Sequence, residues 1–173
     1  MLAFFAIIFG IVFLDQLSKW LAVIFLKGEE SFYIINKLLR FSYVENRGAA
    51  FGMLADSRWV FLIISTVMII AITGYVFKER PKNKWAYTAC AFIVGGGIGN
   101  MIDRIVLGYV IDFIDFYTIW SFVFNIADSF VCVGAVILMI YLIVSMIIEE
   151  REAKLARETA AENDNKNEET ADD

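Results

Sequence analysis

The sequence predicts an all-α integral membrane protein: four transmembrane helices with a small extracytoplasmic β-sheet and an amphipathic segment. Three observations predict it. Hydrophobic residues fill 60% of the 173 positions, above the roughly 45–50% of soluble domains. Four apolar runs approach the ~20 residues that cross a hydrocarbon core at ~1.5 Å rise each. One proline against sixteen phenylalanines suits long helices better than a loop-rich module.

The first run, Phe4–Leu26, has the hydropathy of a signal peptide but no basic n-region and no small-residue cleavage site. It also carries Asp15 and Lys19 inside the run, so a retained helix is expected. Gly28–Arg58 is not a span. Leu39, Phe41 and Tyr43 alternate with Arg40, Ser42 and Val44, the period of a short strand. Asn46-Arg47-Gly48 reads as a turn, and Ala49–Leu54 is again apolar. A small sheet and an amphipathic stretch lying at the outer surface are expected there.

The second and third spans, Trp59–Phe77 and Trp85–Ile102, flank a short loop holding Lys78, Arg80, Lys82 and Lys84. The positive-inside rule places that loop in the cytoplasm. Both termini are then cytoplasmic and the other two loops face outward. The first outer loop has its own bases, Lys27, Lys37, Arg40, Arg47 and Arg58, spread over a longer stretch. The fourth span, Phe122–Ile148, closes a membrane domain over residues 1–148. Residues 149–173 form an acidic cytoplasmic tail, expected to be helical over Glu149–Glu162 and disordered after that. From Glu149 onward ten acids face four bases, a net of −6, which leaves +1 on Met1–Ile148 out of the chain's −5.

Composition excludes several classes. No basic stripe suggests nucleic acid. Histidine is absent, which removes Ser-His-Asp and Cys-His catalysis and every His-ligated metal site. Cys90 and Cys132 each lie in an apolar run and read as small buried or lipid-facing residues. Neither a cofactor nor a metal is expected.

Charges in hydrocarbon are unfavourable, by about 2.5–3.5 kcal/mol each on insertion scales. Yet Asp15, Lys19, Asn100, Asp103, Arg104, Asn125 and Asp128 fall at or within the spans, and Asp112 and Asp115 lie in the short outer loop. Each alone reads equally as helix-packing glue. Depth favours one site. Asp15 stands roughly 17 Å up the first helix and Asp128 roughly 9 Å below the outer start of the fourth, while Asp103 is at the outer end of the third. Spacing agrees: Asn100, Asp103 and Arg104 share one helix face, Asn125 and Asp128 another, and Asp15 and Lys19 stand at i, i+4. Gly95, Gly96, Gly97 and Gly99 permit close helix approach or close substrate approach.

Two carboxyl groups can hydrolyse a peptide bond together. One takes a proton from water, the other gives one to the carbonyl oxygen, and like charges held close share a proton. Asp112 and Asp128 suit this role. Asp103 competes, but Arg104 beside it favours an ion pair or an orienting part, and Asp115 reads as solvated or interfacial. Other classes remain open. A transporter or channel would use Asp15, Asp103 and Asp128 as an ion path, though no repeated halves appear. A scaffold would use the same residues only for assembly. A presenilin-like protease would follow Gly97-Ile98-Gly99 with aspartate, where this chain has Asn100.

Asp15-Gln16-Leu17-Ser18-Lys19 and Asn46-Arg47-Gly48-Ala49-Ala50-Phe51-Gly52 resemble the first two signatures of the prolipoprotein signal peptidases, the signal peptidase II family. Gly95-Gly96-Gly97-Ile98-Gly99-Asn100-Met101-Ile102-Asp103-Arg104, continued by Gly108-Tyr109-Val110-Ile111-Asp112-Phe113, resembles the third. Phe124-Asn125-Ile126-Ala127-Asp128-Ser129 resembles the last. They follow the family's order and cover Asp15 to Ser129.

The resemblance implies a multi-pass enzyme of the bacterial cytoplasmic (inner) membrane with its active site near the outer face. Its substrates would be prolipoproteins carrying diacylglycerol on a cysteine, cut just before that cysteine. It implies an aspartic dyad of Asp112 and Asp128. The supporting and substrate-binding set it implies is Asp15, Lys19, Asn46, Gly48, Asn100, Asp103, Arg104, Asn125 and Ala127. Membrane lipid is the implied surrounding, and the cyclic peptide globomycin the implied inhibitor. The acidic tail goes beyond the family's pattern and has no catalytic part.

Overall fold

The computed structural model describes residues 1–48, 58–81 and 83–169, with side chains as far as Arg157. In chain order the elements are α1 (Leu2–Leu26), β1 (Phe32–Ile35), β2 (Leu39–Asn46), α2 (Arg58–Glu79), α3 (Lys84–Val106), β3 (Val110–Asp115), β4 (Val123–Phe124) and α4 (Ile126–Glu169). Among the described residues, four stretches are long and apolar enough to cross a membrane: α1, α2, α3 and Ile126–Arg157 of α4. Two compact units divide the chain, Met1–Ile137 and Leu138–Asp173. The first holds every expected site residue. Among the described residues, the second is the remainder of α4.

Lipid-facing chemistry explains the helices. Ile63, Ile70, Val136 and Met146 are large, apolar and exposed, which suits hydrocarbon as the solvent. The third helix differs. Its mean hydropathy, 1.3, is the lowest of the four, yet the largest share of it is buried. It starts on Asn83, whose side chain accepts the Trp85 and Ala86 N–H groups at 2.8 and 3.3 Å, an N-cap.

Glycines let α3 approach its neighbours. A Cβ on Gly95 would stand 3.1 Å from Ile11 of α1, and one on Gly99 would stand 2.5 Å from the Asp15 carboxylate. A Cβ on Gly96 would overlap the Ala127 carbonyl oxygen of α4. Gly97 has only ordinary contact with Ile69 of α2. Three of the four glycines therefore mark close approach between helices.

The sheet is antiparallel, in the order β1-β2-β3-β4. Val44 pairs with Asp112, Arg40 with Asp115 and Asn46 with Val110, across an irregularity between Phe41 and Val44. Ile111 and Phe113 bury themselves with Ala22 of α1, which fixes β3 against the C-terminal half of that helix.

Several expectations need correction. Asp112 and Asp115 lie on strand β3 rather than in a loop, because the β-branched and aromatic run Val110–Ile114 pairs with β2. Asp115 is not solvated: it is 5% exposed and accepts Arg40 Nε at 2.7 Å. The last helix begins at Ile126, not Phe122, because Val123 and Phe124 pair with Asp115 and Ile114. Asp128 thus sits in the first turn of α4. The third helix runs one turn past the expected span end at Ile102, to Val106, and carries Asp103 and Arg104 as their spacing with Asn100 requires. Helix also continues past Glu162 to Glu169. The amphipathic stretch expected over 49–54 lies outside the described residues.

Candidate active site

The expected site residues converge where α1, α3, the ends of β2 and β3, and the start of α4 meet. Asn125 stands just before α4 and is fully buried. Its Oδ1 accepts the Asp128 N–H at 2.8 Å, and its own N–H donates to Asp128 Oδ2 at 3.2 Å. This reciprocal cap is a local requirement of a helix start. Here it also pins an aspartate. The Asn125 Nδ2 then reaches across to Asp112 Oδ1 at 2.7 Å. One asparagine therefore holds both carboxyl groups.

Asp112 is 1% exposed. Its second oxygen accepts Asn46 Nδ2 at 2.8 Å. Asn46 ends β2, and its Oδ1 accepts the Gly48 N–H at 3.0 Å, an Asx turn that fixes the amide. Burial, with the charge of Asp128 beside it, pushes the Asp112 carboxyl up to about 7, against the bonds from Asn46 and Asn125 and the charge of Lys19. Asp128 is less enclosed. It accepts Asn100 Nδ2 at 2.7 Å and opens, with Asn100 and Arg104, on a cavity of about 240 Å³ whose other walls are mostly apolar residues of α2, α3 and α4 such as Met68, Ile72 and Val131.

Beneath the two carboxyl groups lies a buried ion cluster. Lys19, 2% exposed, reaches Asp15 Oδ2 at 2.9 Å and Asp103 Oδ2 at 3.0 Å. Asp15 accepts the Ala127 N–H at 2.9 Å, tying α1 to the start of α4. Asp103 accepts the Ile111 N–H at 3.1 Å, tying α3 to the residue before Asp112. The expected pairing of Asp103 with Arg104 is replaced by this bridge to Lys19. Arg104 instead lies over the Phe61 ring, 4.8 Å from its centroid, and donates to the Asn100 carbonyl at 3.4 Å.

Gln16 is a site residue that sequence reasoning passes over. Its Nε2 donates to Asp103 Oδ1 at 2.9 Å, to the Gly99 carbonyl at 3.2 Å and to Asp15 Oδ2 at 3.3 Å. A signal for it exists: an amide inside an apolar run beside Asp15. One asparagine thus joins the two carboxyl groups, and Asp128 lies close enough for its charge to raise the Asp112 carboxyl.

The chain matches the family described as signal peptidase (SPase) II over residues 7–144. It belongs to the signal peptidase II family. Members of this family are proteases that cleave signal peptides from prolipoproteins. A lipoprotein signal peptidase of Caldanaerobacter subterraneus subsp. tengcongensis is 48% identical over 128 residues, 74% of this chain and 87% of that protein. One of Clostridioides difficile is 42% identical over 138 residues, 79% and 92% of the two chains. Two solved bacterial membrane enzymes share the fold. One has a TM-score of 0.78 at 30% identity, covering 84% of this chain and 90% of its own. The other has a TM-score of 0.74 at 31% identity, covering 82% and 93%.

Proposed function

We propose that this signal peptidase II is an aspartic endopeptidase that cuts diacylglyceryl-modified prolipoproteins just before the lipidated cysteine, using Asp112 and Asp128. The observation that carries this reading is Asn125, which bonds Asp112 through Nδ2 and Asp128 through its main-chain N–H and Oδ1. In the reaction the ionised member takes a proton from water, and the oxygen of that water attacks the scissile carbonyl. The protonated member donates to the carbonyl oxygen, giving a tetrahedral diol. Collapse of the diol breaks the C–N bond as a proton passes to the leaving amine. No acyl-enzyme forms.

The cavity beside Asp128 supports an approach of substrate from the α2 side, with apolar walls for acyl chains and Arg104 at its polar end. Asn46 and Gly48 end β2 next to Asp112, where a substrate backbone would meet the sheet. The basic loop Lys78–Lys84 supports an orientation with both termini in the cytoplasm and the site near the outer face of the cytoplasmic membrane; globomycin would compete for the cavity beside Asp128.

A purified enzyme given a synthetic diacylglyceryl lipobox peptide tests this. Cleavage before the lipidated cysteine, blocked by globomycin and unchanged by EDTA, is the expected outcome. Inhibition by EDTA, or equal cleavage of the peptide lacking its diacylglycerol, would overturn it.

A further inference from the structure

Lys19 does more than neutralise its neighbours. An ammonium has three protons and no acceptor. Two of them go to Asp15 and Asp103. The third points to Asn100 Oδ1 at 2.9 Å. A lysine needed only as a counter-ion has no reason to direct its last donor at the amide that holds Asp128.

We propose that Lys19 is a positioning residue that acts on Asp128 through Asn100. Because Lys19 can only donate, Asn100 must turn its carbonyl oxygen toward it and its Nδ2 toward Asp128, where the bond is 2.7 Å. The Asn125 Nδ2 approaches the same oxygen at 3.0 Å, so two donors fix this amide, and the charged one polarises it. Withdrawing electron density from the Asn100 carbonyl strengthens its N–H as a donor to the carboxyl group beyond.

The other two site asparagines need no such help. Backbone N–H groups, also donors only, fix Asn46 from Gly48 and Asn125 from Asp128. Asn100 lies inside α3, where main-chain N–H groups are engaged along the helix. Its orientation therefore comes from Lys19 of α1 and from Asn125. In this way α1 sets the polarity of a bond between α3 and α4.

The role of Lys19 rests on the dyad reading, and one experiment separates the two. A double-mutant cycle on Lys19→Gln and Asn100→Ala is read as kcat and KM for the lipopeptide, per folded enzyme in detergent, with Lys19→Arg and Asp128→Asn in parallel. Loss of one charge-assisted bond predicts kcat lower by about 10- to 100-fold in Lys19→Gln, with KM within about twofold. The double variant should lose no more than Asn100→Ala alone, and Lys19→Arg should recover most of the activity. Independent, multiplying losses would overturn the relay, as would Lys19→Gln at wild-type kcat per folded molecule. Should Lys19→Gln yield no folded protein, Lys19→Arg decides: a kcat close to wild type supports the relay, whereas a kcat as low as that of Asn100→Ala defeats it. An active Asp128→Asn would sink the dyad reading, whatever Lys19 does.

Discussion

Asp112 stands between opposing influences on its proton. Burial and the charge of Asp128 favour the neutral acid, and the bonds from Asn46 and Asn125 favour the anion, with burial dominant and the group at about 7. The sign for stability follows. Below about pH 4 the folded and unfolded chains both carry this proton. Between there and about pH 7 the unfolded chain releases it first, so the folded state binds more protons and stability falls as pH rises. Above about 7 this contribution is constant. A thermal melt in detergent should show that fall between pH 4 and 7, and Asp112→Asn should remove much of it. With Asp112 and Asp128 acting as the proposed dyad, activity should decline as pH rises through about 7, where the pair would lose its proton; the macroscopic value belongs to the pair.

The residue scale also shows what a sequence can and cannot reveal. Asn125 and Asp128 stand three apart, a spacing that puts them on one face. That the relation is a reciprocal cap depends on where α4 begins, and hydropathy alone runs the apolar segment back to Phe122. Gln16 and the bridge from Lys19 to Asp103 are hidden for a different reason. They join α1 to α3 across more than eighty positions of sequence, and no local period encodes such a contact.

At the scale of elements, the helices are legible because lipid allows few alternatives: a spanning segment must satisfy its own backbone and present an apolar surface. Strand β3 is not. Six residues between two helices look like a connection until a partner strand exists, and its partner β2 is far away in sequence. The glycines of α3 divide by what they touch. Gly96→Ala places a methyl group against the Ala127 carbonyl, and Gly99→Ala places one against Asp15. Each should destabilise helix packing by about 1–3 kcal/mol, read as a lower melting temperature. Gly97→Ala, with only ordinary contact at Ile69, should change it little. Equal effects at all three positions would contradict this packing of α3.

At the scale of the whole molecule, charge is segregated. The chain carries −5 overall, but −6 of that lies from Glu149 onward, past every residue that holds the site. Deleting residues 158–173 should therefore leave kcat and KM for the lipopeptide within about twofold of the full chain. A large loss would give the tail a role that its charge and position do not suggest. Most of the buried polar groups, Asp15, Lys19, Asp103, Asp112 and Asn125, gather where α1, α3, the sheet and the start of α4 meet. Composition indicates a membrane protein without histidine, and the motifs indicate the family, but only the fold joins Asp112 on a strand to Asp128 on a helix.

Turnover of a diacylglyceryl lipobox peptide by Asp112→Asn and Asp128→Asn, each confirmed as folded in detergent, tests the shared-proton pair most directly. Each amide keeps the shape of the side chain and removes its capacity to exchange a proton, so kcat should fall by at least about a hundredfold in both variants while lipopeptide still binds. Wild-type turnover in either folded variant would contradict the account.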